Sequence, residues 1–387
     1  MAIALTTQPT NNGQYSAYFQ LKFVATETTN NPEYLLFTLK TSAGASISGV
    51  PSYKAPNINN TYTFDASAYL KSLFDVRQLP TAVVNTIQDV TDLYGKYEVL
   101  VEDPINALTS LTSNEFYVFP FIDSVRSASD QTATNGCVTK RLLYAGKIKD
   151  VGASGTEINP LPSHIRGTYD CVYLWRAASI TNNLYIDTYE GYTPNNNSTI
   201  KQTLTVDLSS YSDQLLRIPL NNTFFNTLGT VLKFESFKIR YRSSVGTFYY
   251  GNQYCSYKEF LYVNRYGMIQ NIVFKTLDNQ EFATTGQTFT KAGFDLVPNA
   301  GNFNFGGDVE KINQDNKQTI IVEAQHFSKL HKDVLEDFVS SPVHAVIIDG
   351  YPIKCNVLDG NYKLVEDSKG IEFNFRAVVS QKRPSFI

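Results

Sequence analysis

Short runs of β-branched and aromatic residues, each broken by Asn, Gly, Ser or Pro, recur along the whole chain. CVYLWRAASI (Cys171 to Ile180), NNLYIDTYEG (Asn182 to Gly191), STIKQTLTVDL (Ser198 to Leu208) and KFESFKIRYRSS (Lys233 to Ser244) follow one another at the spacing of an antiparallel sandwich. In the last of these, Phe237, Ile239 and Tyr241 alternate with Lys238, Arg240 and Arg242. That alternation predicts a strand with one apolar face and three cations on the other. Ser16 to Ala25 and Tyr34 to Lys40 also read as strands. They are joined through Thr28, Thr29, Asn30, Asn31 and Pro32, so a hairpin is expected.

Helical periodicity is confined to two places. Asp65 can cap a short helix over Ala66 to Phe74, where Tyr69, Leu70, Leu73 and Phe74 recur at helical spacing. Ser328 is the expected cap of a second helix, whose stripe is Leu330, Val334, Leu335 and Phe338 and which Ser340, Ser341 and Pro342 end. Strands at His344 to Ile348, Ile353 to Leu358 and Ile371 to Val379 complete that region. The pattern therefore predicts a mainly β, multidomain protein of antiparallel β-sandwich modules with a small α+β C-terminal module. Its expected divisions are residues 1–123 (a sandwich with one short helix), 124–262 (a central sandwich) and 263–387 (the α+β module).

The most informative stretch is FLYVNRYGMIQNIVFKTLDNQEF, from Phe260 to Phe282. Phe260 to Val263 and Ile269 to Lys275 are strand sequence, and Asn264, Arg265, Tyr266 and Gly267 form a compact polar turn between them. Gly267 relieves a bend that a side chain would resist. Asp278 and Asn279 turn the chain again.

Composition fits many short strands: 25 Tyr and 25 Phe stand against a single Trp, Trp175. Hydrophobic residues at 42% and charged residues at 18% exclude a disordered chain. A net charge of −3 gives no global attraction to nucleic acid or anionic lipid, so none is expected as a partner. No apolar run approaches the roughly 20 residues that span a bilayer, and the first residues, MAIALTTQPTNNGQ, lack a secretory pattern. The protein is expected to be made in a cytoplasm. Cys137, Cys171, Cys255 and Cys355 lie far apart with no Cys-x-x-Cys pair and are expected to be buried or incidental thiols.

The strand, Asn-Arg-aromatic-Gly, strand element resembles one in tail-associated virion structural proteins of tailed phages that infect Bacteroidota. FDASAYLKSLFDV (Phe64 to Val76), YEVLVED (Tyr97 to Asp103) and SNEFYVFPFID (Ser113 to Asp123) are similar to that family's amino-terminal module. TIIVEAQHFSKLHKDVLEDFVSSPVHAVI (Thr319 to Ile347) resembles its pattern of strand, short helix, Ser-Pro and strand, and Tyr351 to Val379 its final strands. Ser124 to Pro160 matches poorly. The resemblance implies a non-enzymatic structural component of a phage tail, in the tip, hub or baseplate region. Such a subunit assembles in the host cytoplasm as a homo-oligomeric ring or trimer, and meets tube or fibre proteins in the virion. The alternative is a receptor-binding module that recognises a host surface glycan, and a third reading is a glycan-cleaving enzyme on the same tail.

Reactive motifs are wanting. Gly152, Ala153, Ser154 and Gly155 do not make a nucleophile elbow, and Gly306 and Gly307 are followed by Asp308 and Val309 rather than by the Lys and Ser or Thr of a phosphate loop. His326 and His331, five residues apart, fall on different sides of a helix, and His164 and His344 stand alone. Glu190, Asp308, Glu310, Asp333, Glu336 and Asp337 have no spacing that pairs two of them. No catalytic residue, metal ligand or cofactor is expected. Lys238, Arg240 and Arg242 are the candidate interface, against the alternatives of a solvated strand face or a nucleic-acid contact. Tyr249, Tyr250 and Tyr254 invite a glycan, whereas Trp175 beside Leu174 reads as core.

Overall fold

A computed structural model describes residues 3–29, 32–53, 60–74, 80, 83–105, 110–120, 149–150, 169–178, 183–190, 199–241, 244–249, 257–276, 281–290, 309–327, 332–357, 363–366 and 371–382. The protein is mainly β with several antiparallel sheets and little helix. The first stretch carries β1 (Ile3–Thr7), β2 (Gly13–Ser16), β3 (Lys22–Glu27), β4 (Tyr34–Thr41), β5 (Ser46–Tyr53), β6 (Thr61–Asp65), helix α1 (Ser67–Leu73), β7 (Gln88–Asp89), β8 (Gly95–Glu102), β9 (Ser110–Thr112) and β10 (Phe116–Phe119). Next come β11 (Lys149–Asp150), β12 (Cys171–Arg176), β13 (Leu184–Tyr189), β14 (Ile200–Val206), β15 (Gln214–Pro219), helix α2 (Asn222–Thr227), β16 (Ser236–Tyr241) and β17 (Ser244–Tyr249). The chain closes with β18 (Tyr257–Val263), β19 (Ile269–Lys275), β20 (Glu281–Thr290), β21 (Val309–Phe327), helix α3 (Lys332–Ser340), β22 (His344–Ile348), β23 (Tyr351–Val357), β24 (Lys363–Glu366) and β25 (Ile371–Lys382).

These elements form two compact units. The first is Met1–Asn252 with Tyr262–Ile272 and Leu330–Val343; the second is Gln253–Leu261, Val273–Lys329 and His344–Ile387. The modules expected at 1–123, 124–262 and 263–387 are consecutive stretches, whereas each compact unit gathers separate ones: the 264–267 turn and α3 belong to the first unit.

In the first unit, sheet β1-β3-β6 lies with sheet β2-β10-β8-β4-β5, to which β9 adds on β8. Phe23, Phe37, Phe64 and Phe116 are buried between them. Phe37 stacks on Phe64 with ring centroids 5.4 Å apart. The expected hairpin of the third and fourth strands is absent, because β3 and β4 belong to different sheets. Each strand presents its apolar alternate positions, Phe23 and Ala25 or Phe37 and Leu39, to a shared core, which adjacent pairing in one sheet would not bring together. β10 pairs β2 in parallel, Phe116 opposite Gly13. Strands so distant in sequence need no tight turn to join them. The Oδ1 of Asp65 accepts from Ser67 N at 3.0 Å and from Leu21 N at 3.1 Å, fixing the start of α1. Leu70 and Phe74 are buried as expected, but Leu73 is exposed.

Sheets β11-β17-β16-β13-β14 and β12-β15-β7 follow. They enclose a core that includes Leu174, Ile186, Leu216, Phe225, Phe237 and Ile239. Asn221 caps α2, accepting from Phe224 N at 2.9 Å while its Nδ2 donates to Val84 O at 2.8 Å. A second aromatic cluster ties the parts of this unit together: Trp175 meets Tyr94, Tyr117 and Phe119 edge-on at 5.2, 4.9 and 5.1 Å.

A further sheet has the order β19-β18-β22-β23-β25-β21-β20, with β24 on β25, and most of its strands belong to the second unit. Thr276, just after β19, forms an isolated antiparallel bridge with Val322 of β21. Phe260, Phe274, Phe373 and Phe375 pack inside this unit with centroids 5.1 to 5.8 Å apart. Asp349 and Gly350, both at positive φ (52° and 83°), make the two-residue turn of the β22–β23 hairpin.

Candidate functional site

The polar turn between β18 and β19 is heavily tied. Asn264 is buried, and its Oδ1 accepts from Tyr266 N and Met268 N, each at 3.0 Å, while its Nδ2 donates to Gln270 Oε1 at 2.9 Å. Its backbone N–H donates to Met268 O at 2.9 Å and its C=O accepts from Gly267 N at 2.8 Å. One asparagine thus supplies the bonds that a hairpin loop otherwise leaves to water.

The other three residues reach outward. Arg265 donates through its backbone N to Asp337 Oδ2 at 2.9 Å and through Nε to Oδ1 at 2.8 Å, with Nη2 2.7 Å from the same oxygen. Both guanidinium contacts thus converge on one carboxylate oxygen while the backbone N–H takes the other, and the Asp337 side chain on α3 is 6% exposed. Tyr266 packs against the cluster of Leu93, Tyr117, Phe119, Trp175 and Met268. Gly267 holds φ +72°, and a Cβ placed on it would lie 2.3 Å from Pro120 O. Beside the turn, Ser341 Oγ accepts from Val263 N at 2.9 Å and donates to Val343 O at 2.8 Å. Tyr262 is fully buried against Phe338, centroids 5.5 Å apart. Burial, and next the charge of Asp337, push its hydroxyl well above the ordinary tyrosine range.

The candidate cationic strand takes a different form from the one expected. Phe237, Ile239 and Tyr241 do enter the core. On the opposite face Lys238 is buried, with its amine 5.7 Å from the centre of the Tyr189 ring, and Arg240 lies over Tyr185 at 5.2 Å. Arg240 donates through Nε and Nη2 to Asp187, which also accepts from Thr203 Oγ1 at 2.7 Å. That bond raises the Arg240 pKa further. Arg242 lies outside the described residues. Asp187 was the unforeseen member: it sits on β13 directly opposite Lys238 in register, and pairing across strands has no signature in local sequence. Asp337 had a weak one, a carboxylate flanking the apolar stripe of α3 between Val334 and Phe338.

The other singled-out residues are scattered. His326 stands in β21, not on a helix; His344 is half-buried in β22; His164 and His331 lie outside the described residues. Glu190 pairs with Lys201, and Glu336 lies 3.9 Å from Lys332. Asp308 lies outside the described residues, as do the side chains of Glu310 and Asp333. Among the described residues no three of His, Cys, Asp and Glu are grouped to hold a metal ion. Trp175 is core, 1% exposed. Tyr250 and Tyr254, together with the side chain of Tyr249, lie outside the described residues.

Cys171 and Cys355 are buried; Cys137 and Cys255 lie outside the described residues. Burial pushes the Cys355 thiol up to about 12. It raises that of Cys171 too, with Arg217 beside it pulling the other way. A thiol at about 12 is ionised to only about one part in ten thousand at pH 8. In a native alkylation experiment read by peptide mass spectrometry, Cys355 and Cys171 are therefore expected to stay unlabelled until denaturant is added. Rapid labelling of either in the folded protein would contradict their burial.

No protein-family model matches the chain, and no characterised protein matches it. Among solved structures, the Salmonella enterica SafA pilin in complex with the SafB chaperone aligns over 65% of this chain and 97% of its own, with 8% identity and a TM-score of 0.19. A superposition that loose transfers nothing from that complex to this protein.

Proposed function

We propose that this chain is a non-enzymatic structural subunit of a phage tail, in the tip, hub or baseplate region. There it assembles with copies of itself, as a ring or trimer, and with tube or fibre proteins. The resemblance to tail-associated proteins of Bacteroidota phages gives the place. The observation that supports it is the turn at Asn264 to Gly267, whose polar groups are committed to internal ties: Arg265 to α3, Gly267 against Pro120, Asn264 within its own hairpin. A joint of this kind fixes remote segments rigidly, which suits a part that transmits force and position rather than one that turns over substrate.

Tracing the chain in density of the intact particle tests this. Symmetric copies in the tail are the expected result, and particles that lack the chain would refute the proposal. A chemical test runs beside it: His326→Ala, His331→Ala and Asp308→Ala are each expected to leave assembly intact. Turnover of host polysaccharide or peptidoglycan by the wild type, lost in any one of these variants, would favour an enzyme instead.

A further inference from the structure

Arg217 is a cation that the fold takes out of water without a counter-charge beside it. It lies on β15 and is 7% exposed. Other guanidiniums of the first unit are satisfied within the protein. Arg176, 5% exposed, donates through Nε to Leu208 O and through Nη1 to Ala177 O, each at 3.0 Å; Arg240 holds Asp187, and Arg265 holds Asp337. Arg217 enters none of the ion pairs among the described residues, and its Nε is buried with no hydrogen-bond acceptor. The group it meets is the Cys171 side chain, a weak acceptor. A guanidinium stays charged at every physiological pH, and a buried charge without a partner is strongly unfavourable.

Strand register shows what stands beside it. Tyr173 of β12 lies opposite Arg217 on one side and Gln88 of β7 on the other. The three side chains therefore form one row across the sheet, with Cys171 two residues along on the same face. At the inner end, burial pushes the Tyr173 hydroxyl and the Cys171 thiol up in pKa, so both are neutral and neither supplies negative charge. At the outer end Gln88 is exposed and β7 is only two residues long, so the row opens to solvent there. The Gln88 amide is a neutral donor next to the charge. One cation, one neutral donor and the buried rings of Tyr169 and Tyr173 suit an anion with a single charge and a loosely held water shell. A divalent oxyanion would bring a second charge that nothing in the row balances.

We propose that Arg217 and Gln88 bind a small monovalent anion of the halide class, such as chloride, as the counter-ion of the buried guanidinium. The row that holds the ion exists only when β7, β12 and β15 are paired, so the native state binds it and the unfolded chain does not. Occupancy then stabilises the first unit by mass action, whether or not the chain is part of a tail.

Thermal melts at constant ionic strength, with sodium chloride exchanged stepwise for sodium gluconate, test it. The Tm of the wild type is expected to rise by about 2 to 4 °C for each tenfold of chloride above the dissociation constant. Arg217→Met replaces the cation by an apolar chain and is expected to melt at a temperature that chloride does not change. Gln88→Ala is expected to need about tenfold more chloride for the same rise, the loss of one hydrogen bond to an ion. A wild type indifferent to chloride, an Arg217→Met variant that responds as the wild type does, or a Gln88→Ala curve that coincides with that of the wild type would each overturn the site. If Arg217→Met does not fold, anomalous scattering from wild-type crystals soaked in bromide decides. A peak at the guanidinium is the expected result, and its absence at saturating bromide rules the ion out.

Discussion

Replacing Phe338 by alanine is expected to lower the stability of the first unit by about 3 to 5 kcal/mol, the usual cost of cutting a buried phenylalanine to alanine. The ring is fully buried and meets Tyr262 edge-on at 77°. It sits one residue from Asp337, so loosening it also loosens the carboxylate that holds Arg265. A compact unit has only about 5 to 15 kcal/mol in reserve, so the loss is a large share of it; under the tail proposal, particles should then lack this subunit or incorporate it poorly. Lys332 is the control. Its side chain is 46% exposed and its distance to Glu336 is 3.9 Å, so Lys332→Ala should change stability by no more than about 0.5 kcal/mol. Urea unfolding of both variants decides the matter. A Lys332 variant that suffers while the Phe338 variant stands would mean that the apolar side of α3 is a docking surface rather than core.

Gly267→Ala is expected to be nearly as damaging, for two reasons that a second variant separates. A left-handed backbone costs a residue with a Cβ about 1 to 2 kcal/mol, and the new carbon would also lie 2.3 Å from the carbonyl oxygen of Pro120. A backbone atom cannot swing aside as a flexible side chain does, so the turn or the end of β10 has to move. Gly44 has a similar φ of +86° with nothing within 4 Å. Gly44→Ala should therefore show the conformational cost alone, and the excess at Gly267 measures the collision. Equal losses at the two sites in denaturant unfolding would show that the close approach to Pro120 carries no energetic weight.

What was legible in the sequence was what local pattern encodes. Phe237, Ile239 and Tyr241 alternate and do face the core; Val334, Leu335 and Phe338 recur at helical spacing and are buried; Gly267 marks a bend that takes positive φ. What escaped is pairing at a distance. Arg265 and Asp337 are 72 residues apart, and Asp187 reaches Arg240 across 53. Strands β3 and β4 are neighbours in sequence yet feed two sheets, because a core between layers satisfies both sets of apolar positions. The two compact units likewise draw on segments that are not consecutive in sequence. Residues 262–272 and 330–343 have the composition of their sequence neighbours, but their partners, among them Pro120, Trp175 and Cys171, lie far upstream. The candidate cations were found by alternation, and the carboxylate that neutralises Arg240 lies on another strand.

The membership of Leu330–Val343 in the first unit sets a timetable for biosynthesis. Translation proceeds at about 5 to 20 residues per second. Once Tyr262 has been made, roughly 4 to 16 seconds pass before α3 is complete. During that interval Arg265 has no carboxylate and Tyr262 no ring against it, so the nascent chain leaves the ribosome with an open apolar seam where Phe338 will lodge. A ribosome stalled after residue 300 would hold a first unit that protease still cuts, and one stalled well beyond residue 343 would hold a resistant one. The final piece of the first unit's architecture is thus supplied only once Leu330–Val343 has been made, which delays any premature association of the unit until α3 is present.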